Sequence, residues 1–233
     1  MEIWSGAPSL VDRTYTAILN AICDGRLPPG AHLVQEALAE SLGVSRQPIQ
    51  QALLLLRNDG VIEETKRRGM VVAPLDPVTS GQRYEVLGML NALAGRRAAE
   101  RCAASAELAA SFYDEGSRIV AEGEAALGTG PISTIVGYEV AFHTLIYRTS
   151  GNAAIEPAAR PLWRNLQRVR GELMRRLGRQ PDAWRSHREL LDAIARGDAE
   201  LAEQLATREA ETAIEQVASC IPAPATRGAS ASS

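Results

Sequence analysis

Four interruptions decide what the first third of the chain can fold into: Leu27-Pro28-Pro29-Gly30, Gly43, Asn58-Asp59-Gly60 and Lys66-Arg67-Arg68-Gly69. Proline cannot continue a helix, and glycine releases a turn, so no element crosses these points. Between them the apolar spacing is helical. Val11, Tyr15, Ile18, Leu19 and Ile22 fall at i, i+4, i+7, i+8 and i+11, one face of a first helix. A short second helix fits Gln35–Leu42 and stops at Gly43. Ser45 is placed to cap a third helix, in which Pro48 is tolerated because first-turn N–H groups have no intrahelical partner. Ile49, Leu53 and Leu56 form that helix's apolar face. Val61–Thr65 and Met70–Ala73 are β-prone runs around a basic, glycine-containing tip, which spells a hairpin. Three helices followed by a basic hairpin is a winged helix-turn-helix.

Beyond it the pattern changes. Two prolines in the polar stretch Pro74 to Thr79 mark a linker at 75–80. Every long segment after it carries helical periodicity, with helices expected near 81–102, 105–127, 132–150, 153–178, 182–196 and 198–219, and with Pro161 expected to kink or divide its segment. The fold class is mainly α: a winged helix-turn-helix at 1–74, a linker at 75–80, an all-α helical bundle at 81–220 and a small, polar, disordered tail at 221–233. Composition agrees. Hydrophobic residues reach 45% but aromatics only 4%, so the core must be aliphatic, which suits helices better than a β-sandwich.

A net charge of −3 excludes a wholly basic nucleic-acid coat and leaves room only for a local basic patch. Cys23, Cys102 and Cys220 are odd in number, far apart and form no CxxC, which argues against a disulfide framework and a zinc ribbon. No apolar run approaches the roughly 18 residues of a membrane span, and residues 1–9 lack a signal-peptide pattern. A cytoplasmic protein without a membrane partner is expected. There is no HExxH, GxSxG or P-loop, so no enzyme is expected.

A third helix of this kind fits the major groove, roughly 12 Å wide. Its exposed positions, Ser45, Arg46, Gln47, Gln50 and Gln51, suit base-edge and phosphate contacts, since arginine pairs with guanine and glutamine with adenine. Lys66, Arg67, Arg68 and Gly69 at the wing tip suit phosphate or the minor groove.

The stretch GRLPPGAHLVQEALAESLGVSRQPIQQALLLLRNDGVIEETKRRGMVVAPL closely resembles the DNA-binding domain of GntR-type regulators. Where that family's recognition helix commonly reads SRTPVREAL, this chain reads SRQPIQQAL, so Gln50 stands where a DNA-contacting arginine is usual. The remainder, about Gln82 to Val217, resembles the FCD-type effector domain of the FadR subfamily. The resemblance is carried by Tyr84-Glu85-Val86 through Arg101, by Glu139-Val140-Ala141-Phe142-His143 with Ser150-Gly151-Asn152, and by His187-Arg188-Glu189-Leu190-Leu191-Asp192-Ala193-Ile194 with Gly197-Asp198. It implies a ligand-binding and dimerising domain. It also implies a divalent metal (Zn, Ni, Mn or Fe) held by Glu139, His143, His187 and Glu209, of which Glu139 replaces the usual Asp and Glu209 the usual last His. The alternative is a metal-free pocket in which the two histidines hydrogen-bond to these carboxylates.

The resemblance also implies a small-molecule, anionic effector. The family's arginine and glutamate on the first sensor helix are Leu87 and Asn91 here, so Asn91, Arg97, Arg164 or Arg168 are candidates for holding it. Arg160, Arg164, Arg168 and Arg175 fall within about 80° on one helix, as either a solvated basic face or an inward clamp. The expected function is a homodimeric transcription repressor on a pseudo-palindromic double-stranded operator, released by its effector. The competing readings are a constitutive DNA-binding protein whose C-terminal domain only dimerises, and a metal-dependent hydrolase using Glu139, His143 and His187.

Overall fold

A computed structural model describes residues 8–65, 69–179, 181–222. The N-terminal unit opens with α1 (Leu10–Cys23), started by a reciprocal capping pair: the Ser9 side chain accepts from the Asp12 N–H and the Asp12 carboxylate accepts from the Ser9 N–H. α2 (Gln35–Leu42) and α3 (Arg46–Asn58) follow. Between them Gly43 adopts a left-handed conformation, φ 64°, which lets the chain turn within three residues. β1 (Ile62–Glu64) and β2 (Met70–Val72) pair antiparallel with Ile62 opposite Val72 and Glu64 opposite Met70. Ile18, Ile49, Leu53, Leu56, Val61 and Val72 form the small core. Ser45 stands at the N-cap of α3 as expected, but its side chain makes no capping hydrogen bond.

Among the described residues the C-terminal unit is six helices: α4 (Pro77–Ala104), α5 (Ala106–Thr129), α6 (Ile132–Thr149), α7 (Ile155–Leu177), α8 (Pro181–Ala195) and α9 (Ala199–Cys220). α4 lies along α9, and α5 packs on α6 and α8. Their shared core includes Phe112, Ile135, Phe142, Leu166 and Trp184.

Two expectations need correction. Residues 77–80, read as linker, are the first turn of α4; Pro77 fits there because it has no N–H to lose, and the Asp76 carboxylate caps the helix by accepting from the Thr79 N–H at 2.9 Å. Ile221, assigned to the tail, is buried on the C-terminal core, and residues 223–233 lie outside the described residues. Of the two outcomes expected at Pro161, a kink or a division, the division does not occur: α7 runs through it from Ile155 to Leu177.

The two units are in direct contact, and α7 makes most of the joint. Asn165 donates to the carbonyls of Asp59 and Gly60, at 3.2 and 3.1 Å. Arg168, 5% exposed, donates to the carbonyls of Ala73 and Pro74. At Gly171 an added Cβ would fall 2.3 Å from the Cys23 carbonyl oxygen, so only glycine permits α7 to approach the end of α1 this closely.

Candidate functional site

Two regions carry the residues singled out from the sequence. The first is α3. Ser45, Arg46, Gln47, Gln50 and Gln51 are all exposed, while Pro48, Ile49, Ala52 and Leu53 are buried. The amphipathic spacing therefore turns one face of α3 to the core and a polar row outward. The first turn of α3 has no acidic residue and no side-chain cap, so its N–H groups are open to an anion. Arg46 pairs with Glu36 of α2, and both side chains are well exposed, so the pair is weak and exchangeable. Lys66, Arg67 and Arg68 lie outside the described residues. Gly69 is described, and the turn closes through Thr65 N–H donating to its carbonyl at 2.7 Å.

The second region is a cavity of about 210 Å³ in the C-terminal unit, walled by α4, α6, α7, α8 and α9. Such a volume exceeds the need of a single water. α6 contributes Glu139 and His143 from one face, α8 His187, α9 Glu209, α4 Tyr84 and Asn91, and α7 Trp163 and Arg170. Arg170 grips Glu139 with two hydrogen bonds, Nε to Oε2 at 2.9 Å and Nη2 to Oε1 at 2.5 Å. His187 Nδ1 lies 2.9 Å from Glu209 Oε1, and His143 Nε2 lies 3.9 Å from Glu209 Oε2. Asn91 Oδ1 accepts from Tyr147 Oη at 2.5 Å, and Tyr147 Oη in turn accepts from Trp163 Nε1 at 2.9 Å. Tyr84 Oη and Glu209 Oε2 are buried without a hydrogen-bond partner among the described residues.

Titration follows from these neighbours. Burial pushes the His143 imidazole down to about 4, against the pull of Glu209, so it is neutral near pH 7. Burial also opposes charge on His187, but the adjacent Glu209 outweighs it and raises the pKa. Burial pushes Glu209 up, and the attraction of His187, His143 and Arg170 more than reverses this. For Arg170, Glu139 outweighs desolvation and holds the guanidinium firmly charged.

The donor set does not fit the divalent metal that the resemblance implied. Both oxygens of Glu139 are engaged by Arg170, and His187 commits one nitrogen to Glu209. Among the described residues no group of three or more His, Cys, Asp and Glu side chains could hold a metal ion. The expected metal ligands are brought to one cavity, but as two ion pairs rather than as a coordination shell.

Three of the four arginines in the stripe are neither of the two things expected of them, and Arg160 alone is a solvated surface residue. Arg160 pairs with Glu156 on its own helix. Arg164 reaches Asp59 at 3.3 Å and lies over the Tyr15 ring, 5.2 Å from its centre. Arg168 holds the Ala73 and Pro74 carbonyls, and Arg175 donates to the Cys23 carbonyl. Arg164, Arg168 and Arg175 thus bind the N-terminal unit. Of the proposed effector residues, Asn91 alone lines the cavity; Arg164 and Arg168 lie in the joint between units, and Arg97 is exposed on α4. Sequence reasoning missed Arg170. A signal was present: Ala159, Trp163, Leu166 and Leu173 fall at i, i+4, i+7 and i+14, and Arg170 occupies the i+11 place on that buried face. A charge on an apolar face is rare unless it is paired.

The description "Bacterial regulatory proteins, gntR family" matches residues 10–72, and the FCD domain matches residues 82–211. The chain belongs to the GntR family and carries an FCD domain. It is 30% identical over 201 residues to an HTH-type transcriptional regulator of Streptomyces ambofaciens, covering 81% of this chain and 76% of that protein. It is 29% identical over 208 residues to a probable D-xylose utilization operon transcriptional repressor of Paenarthrobacter nicotinovorans, covering 89% and 85%. With two Mycobacterium tuberculosis HTH-type regulators it shares 38% identity over 88 residues, 38% of this chain but only 36% of theirs. The solved structure of E. coli McbR/YncC has the same fold, with a TM-score of 0.76 at 20% identity over 90% of this chain and 97% of that one. Among the described residues no helix of this GntR-family chain is long and apolar enough to cross a membrane.

Proposed function

We propose that the chain is a cytoplasmic transcription repressor, which binds operator DNA through α3 and the wing and is controlled by a small anionic effector in the FCD cavity. The observation that carries this reading is the double duty of α7. One side of the helix gives Trp163 and Arg170 to the cavity; the other gives Arg164, Asn165 and Arg168 to the DNA-binding unit. A ligand that moves α7 has a direct mechanical route to the position of α3. Control requires only that the ligand bind the DNA-competent and DNA-incompetent arrangements with different affinity.

On DNA, Arg46, Gln47, Gln50 and Gln51 would reach base edges, Ser45 and the open first turn of α3 a phosphate, and Lys66 to Gly69 the adjacent backbone. The cavity's attraction for an anion comes from Arg170, whose Nη1 takes no protein partner among the described residues, with Asn91 and His187 beside it. The hydrolase alternative is disfavoured, because Glu139, one of its three residues, is bound by Arg170. Repression, not activation, is supported by the name of the Paenarthrobacter relative.

A second copy of the chain is the partner. Val78, Val86, Met89 and Leu93 are 66%, 55%, 73% and 42% exposed on α4. They lie within about 80° of arc, an apolar stripe suited to pair with itself across a two-fold axis. Two copies would present two α3 helices to two half-sites. The test is fluorescence anisotropy on DNA upstream of the chain's own gene, at low salt, with candidate carboxylates and sugar acids titrated in. Tight binding reversed by one compound supports the reading. No binding at low salt overturns it, and binding that no compound alters favours the constitutive alternative.

A further inference from the structure

Within the cavity Glu139, one of the four residues named for a metal, already holds a cation, the Arg170 guanidinium. Glu139 and His143 stand four residues apart on α6, and His187 and Glu209 face them from α8 and α9. Arg170 enters from α7, mostly buried, and closes both of its inner N–H edges on Glu139. A guanidinium has no lone pair to give a metal and does not lose its proton in proteins. A divalent ion brought beside it would meet a fixed like charge where solvent screening is weak.

We propose that Arg170 is the permanent cation of this cavity, that it takes the place of a divalent metal among Glu139, His143, His187 and Glu209, and that removing it opens a metal site. Without the guanidinium, the Glu139 carboxylate is released beside His143. Glu209 Oε2 already lacks a hydrogen-bond partner. Two imidazoles and two carboxylates then form a mixed nitrogen and oxygen shell suited to zinc or nickel. The consequence is a chain whose folding and ligand binding are indifferent to metal supply, built on a scaffold one substitution away from metal dependence. The inference requires the cavity but not effector control of DNA binding, so the two can fail separately.

The test uses the full chain, purified without a histidine tag and stripped with a chelator. Metal content and thermal unfolding are measured with and without millimolar ZnCl2 or NiCl2. The wild type should retain substoichiometric metal and show no metal-dependent change in Tm. Arg170→Ala should take up close to one equivalent and gain roughly 5 °C or more on metal addition. Arg170→Gln, which leaves Glu139 a hydrogen-bond donor, serves as the gentler variant. Adding Glu139→Gln to either should abolish the gain. Near-stoichiometric metal in the wild type overturns the proposal without reference to any variant. So does a folded Arg170 variant that gains no metal, or a gain that survives Glu139→Gln.

Discussion

α3 and α7 each carry a row of polar and basic side chains, and nothing in their spacing tells them apart. On α3 the row Ser45, Arg46, Gln47, Gln50 and Gln51 is exposed, and the ion pair of Arg46 with Glu36 is well exposed too. On α7 most of the row is consumed by the molecule itself: Arg164 on Asp59 and Tyr15, Arg168 on two backbone carbonyls and Arg175 on a third, with Arg160 left at the surface, while Arg170 on the opposite face is taken by Glu139. Charge at helical spacing is a statement about a face, not about its use. Partners supplied by distant parts of the chain decide the use.

The difference predicts opposite phenotypes. Substitutions on α7 should act on folding and on the joint between units, and those on α3 on DNA alone. The largest effect is expected at Arg170. Arg170→Met leaves Glu139 buried and unpaired and should cost about 3–5 kcal/mol in urea unfolding, while the double variant with Glu139→Gln should recover much of it. A simple sum of the two single effects would show that the pair is not coupled.

His143 comes next, through pH. Its folded pKa lies near 4, below the usual 6.5, because it is buried beside Trp163, His187 and Arg170 despite the facing carboxylates of Glu139 and Glu209. The unfolded chain therefore binds a proton that the folded one refuses. Stability is retained above about pH 6.5 and lost as pH falls toward 4, by on the order of 2–3 kcal/mol. Glu209, with its pKa held below the usual carboxylate range, adds a loss in the same direction in the acid limb. His187 is raised and works the other way: its contribution is full below about 6.5 and fades as pH rises through its folded pKa. His143→Gln should flatten the acid limb of a Tm-against-pH curve; an unchanged limb would assign it to other groups.

Arg168→Met should cost about 1–3 kcal/mol, since it leaves the Ala73 and Pro74 carbonyls without their donor. The smallest effect on folding, within about 0.5 kcal/mol, is expected for Gln50→Arg. That substitution should instead change which operator is selected from a random library, with about 1–3 kcal/mol of discrimination at one base pair. The same selected sequence from both proteins would remove Gln50 from the reading face.

Much of the fold was legible because its signals are local. Gly43, Asn58-Asp59-Gly60 and the apolar steps of α1 and α3 depend on neighbours within a turn or two, and each element fell where they placed it. Asp76 was the missed local signal; as an N-cap before Pro77 it starts α4 inside the supposed linker. The polar row of α3 was legible for the same reason, since its orientation follows from its own buried face. The cavity was only half legible. Glu139, His143, His187 and Glu209 were named and do converge, but Arg170 binds Glu139 across 31 positions of sequence, and Arg168 binds Ala73 across 95. Such pairings follow from how helices cross, which periodicity along one helix does not encode. The apolar register of α7 still marked Arg170 as the residue that needed a partner.

Gly171 gives the joint an unusual fragility. The space between α7 and the Cys23 carbonyl is smaller than one methyl group. A single added carbon there would work as a wedge between α7 and the end of α1, while touching neither α3 nor the cavity wall. Under the proposed function, Gly171→Ala is thus a way to cut the wire between two intact instruments: the variant should keep its affinity for DNA and for ligand and lose the dependence of one on the other.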